Sequence, residues 1–443
     1  MNDLTAAVPS PRPLAVIGLG YIGLPLALSL AGEGHRVIGV DTSPDVRQAI
    51  VGGTPLFHEP GVTEALATTP ADLFSVADQL PDEPLQAVIL CVGTAVDPKT
   101  HRPDLRHLES AAAHVAEHLS PDTLVVVRST VSVGTCRQTV LPLLARSVAQ
   151  PLLASCPERT IQGVALHEIR SLPQIIGGID ERSVQRAAEL LSAVCPDQVT
   201  VSSIEASELV KLICNAHTDL IYGFGNEIAA LAEGVGLDAN EVIAAANLRY
   251  PRPDLSRPGF VGGSCLVKDP YLLLDAGRSA GWPAPMVAAA RQVNESVPHR
   301  AVARVVAALE ERGTPLADAK VLVCGVAYKG RPETDDVRGS AAVDVAASLG
   351  SRVRSLVAHD FVVTPERISS LGFVPTGLDD GLADADAVIV LVDHPGYQEL
   401  TADRLLTYAA KQPVVFDMWG ITEPELAAPS ARNELTYLRL GRG

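Results

Sequence analysis

A chain of 443 residues, 47% hydrophobic and 20% charged, has the length of two to four domains and the composition of a globular protein with several cores. Its formal net charge of −17 and its 4% aromatic content exclude nucleic acid and an anionic membrane as main partners, because neither a broad basic surface nor a stacking platform is available. No stretch approaches the ~20 consecutive apolar residues of a membrane span. The first 13 residues do not read as a secretion signal, and the seven cysteines show no CxxC or Cys/His spacing, so the expectation is no metal, reduced thiols and a cytoplasmic location.

Residues 1–200 alternate short apolar strands with helical stretches. The strands "PLAVIGLG", "RVIGVD", "AVILCVG", "TLVVVRS", "PLLASC" and "PQIIGG" read as buried and parallel, with helix-period segments such as 22–34 and 105–119 between them. Near residue 200 the pattern changes. Ser202 and Glu205 have capping-box spacing and open a long helix. Its apolar residues are Leu209, Leu212, Ile213, Ala216, Leu220, Phe224, Ile228 and Leu231, at spacings of three and four. Helices continue over 201–312, broken by a Gly/Pro-rich loop at 251–270. Strands return from 313 to 443 with "AKVLVCGVAYKG", "RVRSLVAHD", "ADAVIVLVDH" and "PVVFDMWG". The predicted fold class is α/β, with two Rossmann-like doubly wound domains joined by a central helical domain. Large apolar helix faces predict a homo-oligomer, without giving its order as homodimer or higher.

Gly18-Leu19-Gly20-Tyr21-Ile22-Gly23 lies between the first strand and the first helix. Gly18 permits the turn, Gly20 admits a pyrophosphate, and Gly23 lets helix and strand touch, so the loop with Tyr21 and Ile22 predicts a dinucleotide at the helix N-terminus. Asp41 ends the second strand, where an acid binds the ribose hydroxyls and repels a 2′-phosphate; NAD is therefore the expected cofactor. Thr94, Ser129 and Thr130 follow other apolar strands and belong to the same rim, unless their hydroxyls only close turns.

Between Pro258 and Pro270 a thiol, Cys265, follows Gly262 and Gly263 and precedes Lys268 and Asp269. Glycines let backbone fold around a ligand, and a nearby cation favours the reactive thiolate. On the long helix, Glu208, Lys211, Asn215 and Asp219 share one face at spacings of three and four. A solvated helix surface gives the same pattern, but Asn215 is a poor helix former where a good one is expected.

With these segments in order, together with Ser129-Thr130-Val131, Pro157-Glu158, Gly325-Val326-Ala327-Tyr328-Lys329 and Asp335-Asp336-Val337-Arg338-Gly339-Ser340, the chain resembles the UDP-glucose/GDP-mannose dehydrogenase family nearly end to end. The resemblance implies a four-electron oxidation of a nucleotide-sugar C6 alcohol by two NAD⁺, with Cys265 as covalent nucleophile. It implies that Lys211 and Asn215 stabilise oxyanions, that Asp269 handles protons and water, and that Glu158 and Thr130 stand near the reacting carbon. Lys268 and Arg338 match cofactor contacts. Glu158, Arg159, Lys211, Asn215, Tyr250, Arg252, Phe260, Gly262 and Lys329 are the implied substrate contacts.

Two branches of the family are mixed here. Cys156-Pro157-Glu158-Arg159, "LPQIIGG" and Asp393-His394 resemble members acting on N-acetylhexosamines. Ser264, Lys268 and Thr218 resemble the glucose branch, and because they lie in the catalytic loop and helix the expectation leans to a UDP-glucose-type sugar, with UDP-N-acetylmannosamine as the alternative. The nucleotide, UDP or dTDP, stays open. A two-electron hydroxyacid dehydrogenase and an inactive nucleotide-sugar-binding protein are the other readings of this layout.

Overall fold

The computed structural model describes residues 12–250, 254–422, 426 and 434–442. The chain divides into two compact units. One takes in the described parts of Met1–Ile213 with Tyr271–Ser279, the other those of Cys214–Pro270 and Ala280–Gly443. The helical stretch expected over 201–312 is thus shared between two units, and the division falls inside its long helix.

In the first unit, strands β1 (Leu14–Ile17), β2 (Val37–Val40), β3 (Phe74–Ala77), β4 (Ala87–Leu90), β7 (Leu124–Val127), β8 (Leu152–Ser155), β9 (Gln174–Gly178) and β10 (Gln198–Thr200) form a sheet in the order β10-β9-β8-β7-β4-β1-β2-β3. A separate two-residue pair, β5 (Ala95–Val96) and β6 (Pro103–Asp104), makes a small antiparallel ribbon. The central strands are continuous Val/Ile/Leu/Ala runs because helices cover both faces: Leu14 and Val16 enter one apolar cluster, Ala15 and Ile17 the other. The strand order reverses at β1, which places the crevice between the carboxyl ends of β1 and β4.

One strand runs opposite to expectation. The "PQIIGG" strand, β9, is antiparallel to β8. The chain leaving β8 stays at that end of the sheet, where Arg159 Nη2 donates to the carbonyl of Pro173 (2.5 Å), so β9 starts beside the point at which β8 stops.

The long helix spans Ile204–Gly234. Its cap is Ser203, whose Oγ accepts from Ala206 N (3.2 Å); the helix begins one residue later than the Ser202/Glu205 spacing suggested. Glu205 pairs instead with Arg137 (2.5 Å). Its faces divide unusually. Leu212 and Ala216 are buried, but Leu209, Ile213, Phe224 and Leu231 are exposed, while Glu208, Lys211, Asp219 and Asn226 are buried. The polar face is the inward one. Glu208 is buried because its carboxylate accepts from Gly134 N (2.5 Å) and Cys136 N (2.8 Å) at the start of a helical run, where donors lack intrahelical partners.

In the second unit, β11 (Lys320–Cys324), β12 (Ser355–His359), β13 (Val374–Pro375), β14 (Ala387–Val390), β15 (Val414–Asp417) and β16 (Thr436–Arg439) form a parallel sheet in the order β13-β12-β11-β14-β15-β16. Against it lies the helix Pro285–Glu311, through Val297, Ala301, Val305 and Leu309. Among the described residues no helix is long and apolar enough to cross a membrane.

Candidate active site

The glycine loop after β1 has the form that a dinucleotide requires. Gly18 has φ +92°, and a methyl at Gly23 would overlap the Gly18 carbonyl, so helix and turn meet as closely as backbone allows. Beside Gly20 the space is open within 4 Å. Asp41 ties its two oxygens to backbone, Oδ2 to Leu19 N and Oδ1 to Ser43 N (both 2.9 Å). Its carbonyl accepts from Arg47 Nη1 (2.7 Å), and Arg47, Val76 and Asp78 line an adjoining open cleft of about 550 Å³. That volume suits a nucleoside, and the N-terminal end of the helix Gly23–Gly32 suits a pyrophosphate. Tyr21 packs on Phe57, with ring centroids 4.5 Å apart. Thr94 Oγ1 donates to Thr130 O (2.6 Å) and Ser129 Oγ to Val92 O (2.6 Å), so these hydroxyls tie adjacent strand ends together.

At the ends of β7 and β8 lies a buried charge pair that the sequence reading passed over. Arg128, 2% exposed, donates through Nη2 to Glu158 Oε2 and through Nη1 to Gln174 Oε1 (2.8 Å). The other oxygen of Glu158 accepts from Arg159 N (2.7 Å) and Thr160 N (3.0 Å). Burial alone would raise the Glu158 pKa, but the charge and hydrogen bonds of Arg128 and the two amides outweigh it and hold the carboxyl below the usual glutamate range. Burial pushes the neighbouring thiols up, Cys91 to about 12 and Cys156 to about 11, against the pull of Arg128. A lone arginine closing an all-apolar strand, just before Ser129-Thr130, was the available signal.

In the second unit the glycine loop carries Cys265 on the short helix Gly263–Leu266. Gly263 has φ +87°, its amide donates to Gly339 O (3.2 Å), and a Cβ there would lie 2.7 Å from the Tyr328 ring; the position accepts glycine alone. The Cys265 thiol is exposed, 4.0 Å from Ser264 Oγ. Asp269 is wholly buried; Oδ2 accepts from Asn215 Nδ2 (2.5 Å) and Oδ1 lies 3.4 Å from Lys268 Nζ. Lys211, 7% exposed, sits one turn before Asn215 on the same helix. Phe260 is buried against Gly262. Lys329 lies 5.4 Å over the Tyr328 ring, and Arg338 is held bidentately by Asp336 (2.7 and 2.8 Å). Tyr250 is exposed, and Arg252 falls outside the described residues. The structure therefore assembles Asn215, Phe260, Gly262, Cys265, Lys268 and Asp269 in one unit, and Asp41, Thr94, Ser129, Thr130, Glu158 and Arg159 around the sheet of the other.

The sequence matches the NAD binding domain, central domain and UDP binding domain of the UDP-glucose/GDP-mannose dehydrogenase family over residues 12–194, 205–296 and 322–424. This chain belongs to that family. A UDP-N-acetyl-D-mannosamine dehydrogenase of Pyrococcus horikoshii is 32% identical over 400 residues, covering 88% of this chain and 92% of that protein. A solved UDP-D-ManNAc dehydrogenase from the same organism superposes with TM-score 0.87 at 30% identity, over 97% of this chain and 99% of the other. A UDP-glucose dehydrogenase of Pyrobaculum islandicum gives TM-score 0.84 at 29% identity, over 99% and 100%.

Membership makes the chain an NAD-dependent nucleotide-sugar dehydrogenase, and the crevice after β1 has the residues to hold NAD. The lean towards a glucose-type sugar is the part that the comparisons favour less. Replacing Arg128 by Met would strand a buried carboxylate, at a cost of about 3–5 kcal/mol. In the native protein the Glu158 contribution is present above the ordinary glutamate pKa and is lost as pH falls through the lower folded value. In Arg128→Met, burial is opposed only by the two amides and raises that value, so protonation relieves the defect. Thermal unfolding at pH 7 and pH 5 should show the gap between native and variant narrowing at the lower pH. An equal gap at both would mean that charge is not the cause.

Proposed function

We propose that this enzyme oxidises the C6 hydroxyl of a UDP-N-acetylhexosamine of the N-acetylmannosamine type to the carboxylate, with Cys265 as covalent nucleophile. Alcohol, two NAD⁺ and water become carboxylate, two NADH and three protons. When bound, NAD⁺ supplies the hydride acceptor. The observation that carries the chemistry is an exposed thiol on a glycine-framed loop, four residues before a buried carboxylate held by an amide and an ammonium.

The chain's own groups divide the work. The Cys265 sulfur adds to the C6 aldehyde, forming a C–S bond and a thiohemiacetal; loss of hydride makes a thioester; water breaks the C–S bond and returns the thiol. Asn215 and Lys211, one turn apart, supply a neutral donor and a cation for the oxygen that gains charge. Asp269 is better suited than Glu158 to take up protons, because both Glu158 oxygens are already bound by Arg128 and two amides, whereas Asp269 Oδ1 accepts no hydrogen bond.

The N-acetylhexosamine reading is supported by coupling between the two segments that resemble that branch. Arg159 holds Pro173, and Gln174 holds the Arg128 that orders Glu158, so "CPER" and "LPQ" form one block. Thr218, on the glucose side, turns its hydroxyl back to Cys214 O (3.1 Å) in its own helix. A UDP-glucose reading keeps support from Lys268 on Asp269 and from the Pyrobaculum likeness.

NADH formation with UDP-N-acetylmannosamine, UDP-N-acetylgalactosamine and UDP-glucose should give two NADH per sugar, with kcat/KM about tenfold or more higher for an N-acetylhexosamine. One NADH per sugar removes the four-electron scheme; a tenfold preference for UDP-glucose moves the sugar to the second reading. Cys265→Ser should lose acid formation roughly a thousandfold while still binding NAD⁺; turnover near the native rate ends the covalent scheme.

The exposed Leu209, Ile213, Phe224 and Leu231 on one helix support self-association through that face. Phe224→Glu with Leu231→Glu should shift the enzyme to monomer in light scattering, and an unchanged mass would place any interface elsewhere.

A further inference from the structure

The Cys265 loop is held from below by polar side chains that the reaction does not touch. Asn226, on the long helix, accepts from Gly259 N (2.9 Å) and donates to Gly259 O (2.8 Å). Its amide also donates to Asn294 Oδ1 (2.8 Å), and Asn294 in turn donates to Asp219 O and Asp219 Oδ1 (both 2.8 Å). Arg291 Nη1 lies 3.4 Å from Asp219 Oδ1 and donates to Leu266 O (2.8 Å). All four side chains are at most 2% exposed.

We infer that Asn226, Asn294, Asp219 and Arg291 are positioning residues: one buried relay that clamps the nucleophile loop at Gly259 and at Leu266 and so fixes the Cys265 thiol between the two anchors. The inference rests on the reading of Cys265 as nucleophile.

Two packed helices need no such residues to adhere. Apolar side chains of similar volume stabilise a helix interface as well as a buried ion pair does, without its desolvation cost. Burial indeed raises the Asp219 pKa, although Arg291 and Asn294 oppose the shift, and Asp219 Oδ2 makes no hydrogen bond. What the relay gains is its two ends, and both are backbone groups of the loop. Leu266 O is also the last carbonyl of the short helix bearing Cys265, so Arg291 caps that helix one residue from the thiol. Asn215 belongs to the same arrangement, because with Asp219 and Asn226 it follows the i, i+4, i+11 line of one helix face and holds Asp269 directly.

Two mild variants, Asn226→Ser and Arg291→Lys, test the clamp, with Arg291→Met as the full break. Small displacements at a reacting centre are costly, so kcat should fall about tenfold to a hundredfold in the mild variants, while KM for NAD⁺ stays within about twofold. Amide hydrogen exchange read by mass spectrometry should speed up about tenfold across residues 259–266, with the strand peptides β11 and β14 unchanged. Arg291→Lys keeps a cation near Asp219 and should retain more activity than Arg291→Met. Native kcat and native loop exchange in folded variants overturn the inference, as does faster exchange spread evenly over the unit with kcat unchanged, the mark of a purely structural role. Should Arg291→Met fail to fold, the two mild variants decide. If the native enzyme oxidised no nucleotide-sugar, the functional reading would fall, while loop exchange would still report whether the clamp exists.

Discussion

The burial of a polar helix face is the constraint on which the rest of the molecule depends. Along Ile204–Gly234 the inward positions carry Glu208, Lys211, Asn215, Asp219 and Asn226; Glu208, Asn215 and Asn226 bind distant segments, and Asp219 and Asn226 also bind Asn294 on the helix Pro285–Glu311. Glu208 receives the amides of Gly134 and Cys136, Asn215 receives Asp269, and Asn226 receives Gly259. Burying polar atoms at this density is costly unless most of them are satisfied. Satisfying them fixes the loops, which in turn places a carboxylate and a thiol in defined positions. The apolar side chains displaced from the inner face have been left outside, at Leu209, Ile213, Phe224 and Leu231.

The sheets were legible because parallel strands buried on both faces must be continuous apolar runs, and "LAVI", "AVIL", "LVVV" and "VLVC" say so directly. The direction of β9 was not, since an apolar run carries no polarity, and what turns the strand is the course of residues 156–173. The long helix was read for which side is apolar, and periodicity answers that correctly. It cannot say which side is buried, and here hydrogen bonds draw Glu208, Asp219 and Asn226 inward beside Leu212 and Ala216. The cap was missed by one residue, the ordinary uncertainty of a helix boundary.

Of the site, the glycine loops, Asp41, Lys211, Asn215, Cys265 and Asp269 could be found from residue type and spacing. Arg128 could not be found by spacing, because its partners Glu158 and Gln174 are 30 and 46 residues away in sequence. Asn226 and Asn294 had a usable signal. The reasoning that singled out Asn215, a poor helix former inside a helix, applies equally to both, and each turns out to be buried and fully engaged. An asparagine inside a helix that is otherwise rich in alanine and leucine has to be explained by what it binds.

The sugar assignment turns on a point of chemistry. Glucose and the N-acetylhexosamines named among the relatives differ at C2, whereas the reaction takes place at C6, on the far side of the ring. Residues that handle the reacting carbon serve both substrates alike, so Ser264, Lys268 and Thr218 are poor reporters of the C2 substituent even though two of them flank the thiol in sequence. Lys268 is occupied with Asp269 and Thr218 with its own helix, which leaves neither as a ready contact for a hydroxyl or an acetamide. The block built from Arg128, Glu158, Arg159 and Gln174 is different. Its rigidity comes from buried charge and backbone hydrogen bonds and owes nothing to the hydride or thioester chemistry, so it can differ between substrate branches while the catalytic loop stays the same. In this chain the Arg128–Glu158 pair is buried and fixed by two amides and a glutamine, and the segments resembling the N-acetylhexosamine branch fall on that block.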